Sequence, residues 1–168
     1  MPSPEFVIKP MSEEDARAIC TWRYEPPYDL YNWSPWEELL RREEEFADPA
    51  IREAQYRSVR AEGVLCGFVQ YFPMSGNTRI GLGLHPDWRG KGYGAAFVRA
   101  LAEEAARLQP AHSIDLEVLV WNERARAVYE RAGFAVTDRY VRSTPTGPAE
   151  FYCMVYAGSP EDRRETRG

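Results

Sequence analysis

Apolar positions fall into short runs and helical stripes that alternate along the chain, and each switch marks an element. The run in "EFVIK" (5–9) predicts a strand. "MSEEDARAICTWR" (11–23) predicts a helix capped by Ser12, with Asp15 three residues on. "YEPPYDLYNW" (24–33) predicts a loop, because Pro26 and Pro27 stop a helix. "SPWEELLRREEEFADP" (34–49) predicts one further helix, with Ser34 as cap, Pro35 at the first helical position and Glu37 completing a capping box. "QYRSVRAEGVLCGFVQYFP" (55–73) predicts a hairpin turning at Glu62-Gly63. "NTRIGLGLHP" (77–86) predicts a strand whose Gly81 and Gly83 mark a bulge or a close backbone approach.

The second half is more regular. Phe97, Val98, Leu101, Ala105 and Leu108 share one face at the helical period. "SIDLEVLV" (113–120) predicts a buried strand. "NERARAVYERAGF" (122–134) predicts a helix capped by Asn122 and closed by Gly133. "AVTDRYVRS" and "EFYCMVYA" predict two strands joined across "TPTGP". The order is β-α-α-β-β-β-α-β-α-β-β: an α/β (α+β) chain with one mixed, mostly antiparallel sheet of six to seven strands and helices on its faces.

With 168 residues, the chain suits one domain over 1–157, followed by a polar tail over 158–168 that reads as disordered. A net charge of -5 argues against a nucleic-acid-binding surface. Cys20, Cys66 and Cys153 are scattered and odd in number, so neither a disulfide framework nor a metal site is indicated. The N-terminal residues carry no signal-like apolar run, and no stretch approaches a membrane span. The expectation is a cytoplasmic protein, monomeric or homodimeric, working on small molecules.

The chemistry concentrates in "LHPDWRGKGYG" (84–94), which leads straight into the predicted helix. Glycines let backbone curl close to a ligand, and a helix N-terminus presents free N–H groups with about half a positive charge. Together they suit a phosphate or pyrophosphate. A Walker loop is excluded because Lys91 is followed by glycine rather than Ser or Thr. The dinucleotide-binding pattern is excluded by glycine spacing and by position after a fourth strand.

The remaining pattern, Arg89-x-x-Gly92-x-Gly94, resembles the acyl-CoA pyrophosphate loop of the GNAT superfamily of N-acetyltransferases, (R or Q)-x-x-G-x-(G or A). "LEVLVWNERARAVYERAGF" (116–134) resembles that superfamily's second motif, with the Glu, Asn, Tyr and Gly-Phe spacing familiar from ribosomal-protein alanine acetyltransferases. The resemblance covers about residues 5–157. It implies direct acetyl transfer from acetyl-CoA, as co-substrate, to an amine, without a covalent enzyme intermediate.

On that resemblance, the backbone of Arg89, Gly90, Lys91, Gly92, Tyr93 and Gly94 holds the pyrophosphate, and Leu82, Gly83 and Leu84 offer strand edges to the pantetheine. A bulge at Gly81–Gly83 would open a gap for the thioester beside the strand at 114–120. Asn122 bonds the CoA arm as well as capping its helix. Tyr129 donates a proton to the leaving thiolate, and Glu117 is the base, with Asp115 on the same strand face as the alternative. His85, beside the loop, reads as a solvated strand-end histidine, with a base role as the alternative. The aromatic and acidic stretch holding Trp22, Tyr24, Glu25, Tyr28, Asp29 and Tyr31 suits a small cationic amine. A protein N-terminus as acceptor and a non-catalytic acyl-CoA sensor are the competing readings.

Overall fold

The computed structural model describes residues 3–157. The expected tail at 158–168 lies outside the described residues. The elements run β1 (Phe6–Pro10), α1 (Glu13–Ile19), α2 (Trp36–Arg42), α3 (Pro49–Gln55), β2 (Tyr56–Ala61), β3 (Val64–Met74), β4 (Asn77–Leu84), α4 (Gly94–Leu108), β5 (Ser113–Leu119), α5 (Glu123–Ala132), β6 (Phe134–Thr144) and β7 (Gly147–Tyr156). Short 3-10 turns occur at Tyr28–Tyr31, Glu45–Ala47 and Pro86–Trp88. The seven strands form one mixed sheet in the order β1-β2-β3-β4-β5-β7-β6. β4 and β5 pair in parallel, whereas β1/β2, β2/β3, β5/β7 and β6/β7 are antiparallel.

The chain forms two compact units. One runs up to Tyr71 and includes Gly81–Tyr93; the other holds Phe72–Ile80 and the chain from Gly94 onward.

In the first unit, Ser12 caps α1 by accepting from the Asp15 amide at 3.0 Å. The Asp15 side chain is drawn off to a bidentate pair with Arg60 at 2.8 and 3.0 Å. The β2–β3 hairpin turns at Glu62 and Gly63, both with positive φ (53° and 78°), as a tight primed turn requires. The apolar cluster of this unit gathers Met11, Ile19, Trp22, Trp36, Phe46, Tyr56 and Phe68.

One expected element differs. The single helix over 34–49 is two helices. α2 has Pro35 at its cap position, with no side-chain cap, so Ser34 and Glu37 form no capping box there. α2 ends where Glu43 turns left-handed (φ 54°), with the Glu43 amide on Leu40 O and the Glu44 amide on Leu39 O. The break lets Phe46 turn fully inward against Trp33 and Tyr56, at ring separations of 4.5 and 5.3 Å. Asp48 then caps α3 through the Ala50 and Ile51 amides, and Pro49 takes its first turn.

In the second unit, the α4 stripe buries Phe97, Val98, Leu101 and Ala105, while Leu108 at its end is exposed. Glycine at 94 allows α4 to approach α5 closely: a Cβ there would stand 3.1 Å from Val128 Cγ1. Asn122 caps α5 through the Ala125 amide at 3.2 Å, and Gly133 closes it with φ 113°. The β6–β7 register shifts between Val136 and Asp138, a bulge that sets where the later β6 residues stand.

Candidate active site

The glycine loop is built as its composition requires. Gly90 and Gly92 have φ of 74° and 84°, a region closed to most side chains. An ideal Cβ on Gly92 meets nothing within 4 Å, so the backbone there borders open space. Gly90, Lys91 and Gly92 are exposed, and the chain enters the fifteen-residue α4 at Gly94. Left-handed glycines ahead of a helix start can turn backbone N–H groups toward an anion. Trp88 and Tyr93 bracket the loop with rings 5.5 Å apart.

Upstream of the loop, Leu82, Gly83 and Leu84 form the end of β4 and are half-buried. Gly83 is required by packing: a Cβ would lie 2.3 Å from Phe68 Cε1. His85 is half-buried rather than freely solvated. Its amide donates to Cys66 O at 2.7 Å, its Nδ1 accepts from the Asp87 amide at 3.0 Å, and its ring stands edge-on to Trp22 at 4.9 Å.

The aromatic stretch after α1 is ordered around the same segment. The Tyr24 hydroxyl donates to Leu84 O at 2.7 Å, and its amide donates to Asn32 Oδ1. Burial pushes the Tyr24 phenol up to about 12, against the opposing charge of Arg89. The Arg89 guanidinium lies 4.5 Å from the Tyr28 ring centre and 5.2 Å from that of Tyr24. Glu25, Asp29 and Tyr31 are exposed, whereas Trp22 is buried in the apolar cluster. By sequence position, Arg89 belongs with the phosphate loop and Tyr24 and Tyr28 with the acceptor stretch. Their stacking is a tertiary contact that no local pattern encodes.

In the second unit, Asp115 and Glu117 share one face of β5 and have different partners. Asp115 receives Arg79 Nε and Nη2 at 3.0 and 2.9 Å, and the Cys153 thiol donates to it at 3.5 Å. Burial pushes its carboxyl up, but the bonds from Arg79 and Asn77 and the Arg79 charge outweigh this and hold it below the ordinary 3.8. Glu117 Oε2 accepts from the Tyr140 hydroxyl and from Arg142 Nε at 3.2 Å, and Oε1 faces Arg79 at 3.6 Å. Burial, then the bond to Glu117, raise the Tyr140 phenol above its usual value. Arg79, Tyr140 and Arg142 were missed from sequence. Tyr140 and Arg142 reach Glu117 across β7, and the bulge in β6 hides their register.

Tyr129 is half-buried on α5, its ring 6.4 Å from Phe134. Asn122 is buried, its amide oxygen engaged as the α5 cap. The three cysteines are buried thiols, and burial pushes Cys20 and Cys66 up to about 11, so neither is an activated nucleophile. Among the described residues, no group of three or more His, Cys, Asp or Glu could hold a metal ion, and no helix is long and apolar enough to cross a membrane.

Solved structures share this fold. A spermidine N-acetyltransferase SpeG chimera from Vibrio cholerae and hSSAT superposes with a TM-score of 0.73 at 19% identity, covering 90% of this chain and 94% of that one. An acetyltransferase (GNAT family) from Bacillus anthracis gives 0.73 at 17% identity, covering 92% and 95%. The enzyme AAC(6')-Ib, solved with paromomycin and acetyl-CoA, gives 0.72 at 22% identity, covering 97% and 98%. Among curated proteins, a mycothiol acetyltransferase of Propionibacterium freudenreichii subsp. shermanii is 39% identical over 82 residues, which is 49% of this chain. An uncharacterized N-acetyltransferase of Bacillus subtilis is 41% identical over 56 residues, 33% of this chain. The matches span only 26% and 35% of those two relatives' lengths. The acetyltransferase (GNAT) family model matches residues 16–134, and the chain belongs to that family.

Proposed function

We propose that this protein moves the acetyl group of acetyl-CoA directly to a primary amine of a small cationic molecule. The observation that carries the acceptor class is the pair of tyrosine faces, Tyr24 and Tyr28, that already receive a guanidinium, with the exposed carboxylates of Glu25 and Asp29 in the same loop. Family membership supports the acetyl donor. Spermidine and paromomycin, named with two of the structural neighbours, are amines of this class.

In this reading the N–H groups from Arg89 to Gly94 hold the pyrophosphate, and Leu82 to Leu84 bond the pantetheine. Asn122 adds a side-chain donor to the CoA arm. An alkylammonium has a pKa near ~10.4, so finding it deprotonated at pH 7 costs about 4 kcal/mol unless a base takes the proton. Glu117 is that base. Asp115 is the poorer choice, because its two short bonds from Arg79 hold its proton affinity down, whereas Glu117 meets Arg79 only at 3.6 Å. Tyr129 protonates the departing thiolate.

The test is acetyl-CoA consumption across a panel of amines, with thermal shift as the binding readout. Acetyl-CoA should raise Tm by linkage. Gly92→Glu, which puts bulk and negative charge at the loop, should abolish that shift. Turnover confined to anionic or peptide N-terminal acceptors would overturn the acceptor assignment. A folded Gly92→Glu variant stabilised like wild type would overturn the loop assignment.

A further inference from the structure

Arg89 stands at two places at once. Its backbone opens the glycine loop, yet its guanidinium lies over Tyr28 at 4.5 Å and Tyr24 at 5.2 Å. Tyr24 is itself anchored, its hydroxyl on Leu84 O at 2.7 Å and its amide on Asn32. Tyr28 lies on the short turn Tyr28–Tyr31 of the same loop. The two rings therefore form a seat for a cation, and a side chain of the protein sits in it. In the proposed function, the Arg89 backbone borders a stronger class of partner, the pyrophosphate of the acetyl donor. A guanidinium binds phosphate through paired, charge-assisted hydrogen bonds, which outweigh a contact with an aromatic face.

We infer that Arg89 is an internal competitor for the acceptor: it occupies the Tyr24–Tyr28 cation seat until the pyrophosphate of the acetyl donor draws it away and frees the rings for the substrate amine. This rests on the proposed acceptor class and adds the residue that couples the two substrates. The coupling must be reciprocal, because any ligand that favours the swung-out arginine also favours the other ligand. The swing makes and breaks only non-covalent contacts. It leaves the local charge cationic throughout, with the amine replacing the guanidinium over the rings.

Arg89→Gln separates the two roles of this position. Glutamine is the other residue that the superfamily loop pattern accepts at this position, so the loop backbone keeps its task while the competing cation is gone. The experiment is equilibrium binding of spermidine, used as a probe cation, to the intact protein with and without saturating CoA. Wild type should bind the probe several-fold tighter when CoA is present, whereas Arg89→Gln should bind it with the same affinity in both states. Tyr28→Leu gives an independent reading. Losing one ring contact releases the arginine for phosphate, so CoA should bind about 2- to 5-fold tighter, while the probe binds more weakly in the CoA complex. A contact that only supports the loop would weaken both ligands in Tyr28→Leu. Wild-type probe affinity that ignores CoA overturns the competition and leaves the acceptor class standing. Absence of probe binding in every state overturns both.

Discussion

Arg79 and Asp115 face each other in the parallel pairing of β4 with β5 and are joined by two hydrogen bonds, Nε to Oδ1 at 3.0 Å and Nη2 to Oδ2 at 2.9 Å. Side-chain exposures of 29% and 10% put the pair under partial cover, where neutralising Asp115 leaves Arg79 with only its longer pair to Glu117 at 3.6 Å. Asp115→Asn should therefore cost about 2–3 kcal/mol near neutral pH, below the fully buried range because water reaches Arg79.

The pH dependence of that pair has a definite sign. The Asp115 carboxyl is held below its ordinary 3.8 in the folded chain. A carboxyl depressed by folding stabilises the fold at pH above its unfolded value, and that stability disappears as pH falls through the lower folded value. The Tm gap between wild type and Asp115→Asn should be full at pH 7 and shrink progressively as pH falls below about 4. A gap that widens in acid would mean that burial, rather than Arg79, governs this carboxyl.

Catalysis should separate the two acids. Glu117→Gln should lower kcat by about 10²-fold or more and flatten the alkaline-rising limb of the pH–rate profile, since it removes the proposed base. Tyr140→Phe removes a donor to Glu117 without touching its charge, and should shift that limb while leaving the KM for acetyl-CoA in place. Should Asp115→Asn abolish the limb and Glu117→Gln leave it intact, the base is Asp115.

Tyr129→Phe keeps the ring beside Phe134 and deletes only the hydroxyl. It should lower kcat by about 10²-fold with little change in acetyl-CoA affinity. Presteady-state measurement of CoA release checks it. A variant with normal kcat would leave Tyr129 a packing residue of α5.

These predictions rest on a sheet and a helix pair that were largely legible from periodicity. The α4 stripe, the Asn122 cap and the Glu62-Gly63 turn are local signals, each set by a few neighbouring residues, and the structure carries all three. The run 34–49 misled because its helical stripe continues through Glu43. What ends α2 is the demand that Phe46 enter the apolar cluster, although Asp48-Pro49 did advertise a new start. The partners of Glu117 were invisible for a different reason. Tyr140 lies on another strand, and its place depends on a one-residue bulge at Thr137 that no spacing rule reveals. The stack of Arg89 on Tyr24 and Tyr28 is likewise non-local.

Gly83 gives the sharpest packing prediction. A Cβ at this position would stand 2.3 Å from Phe68 Cε1 and 2.8 Å from Cζ, well inside contact distance. The ring has little freedom to yield, because Phe68 is buried and packed against Trp22, tilted at 6.3 Å, and Trp33, edge-on at 5.9 Å. Gly83→Ala should therefore cost about 1–3 kcal/mol, the usual scale of overpacking, seen as a Tm drop of about 3–9 °C. Gly92→Ala differs in kind: nothing lies within 4 Å of its Cβ, and only the φ of 84° resists it. Its cost should be about 1–2 kcal/mol, with no change when neighbours are trimmed. The double variant Gly83→Ala/Phe68→Leu decides the matter. If overpacking against the ring is the cause, the leucine should recover part of the loss that alanine inflicts on wild type, giving a double-mutant coupling of about 1 kcal/mol or more. Strict additivity would show that the Phe68 ring is not what excludes a side chain at Gly83.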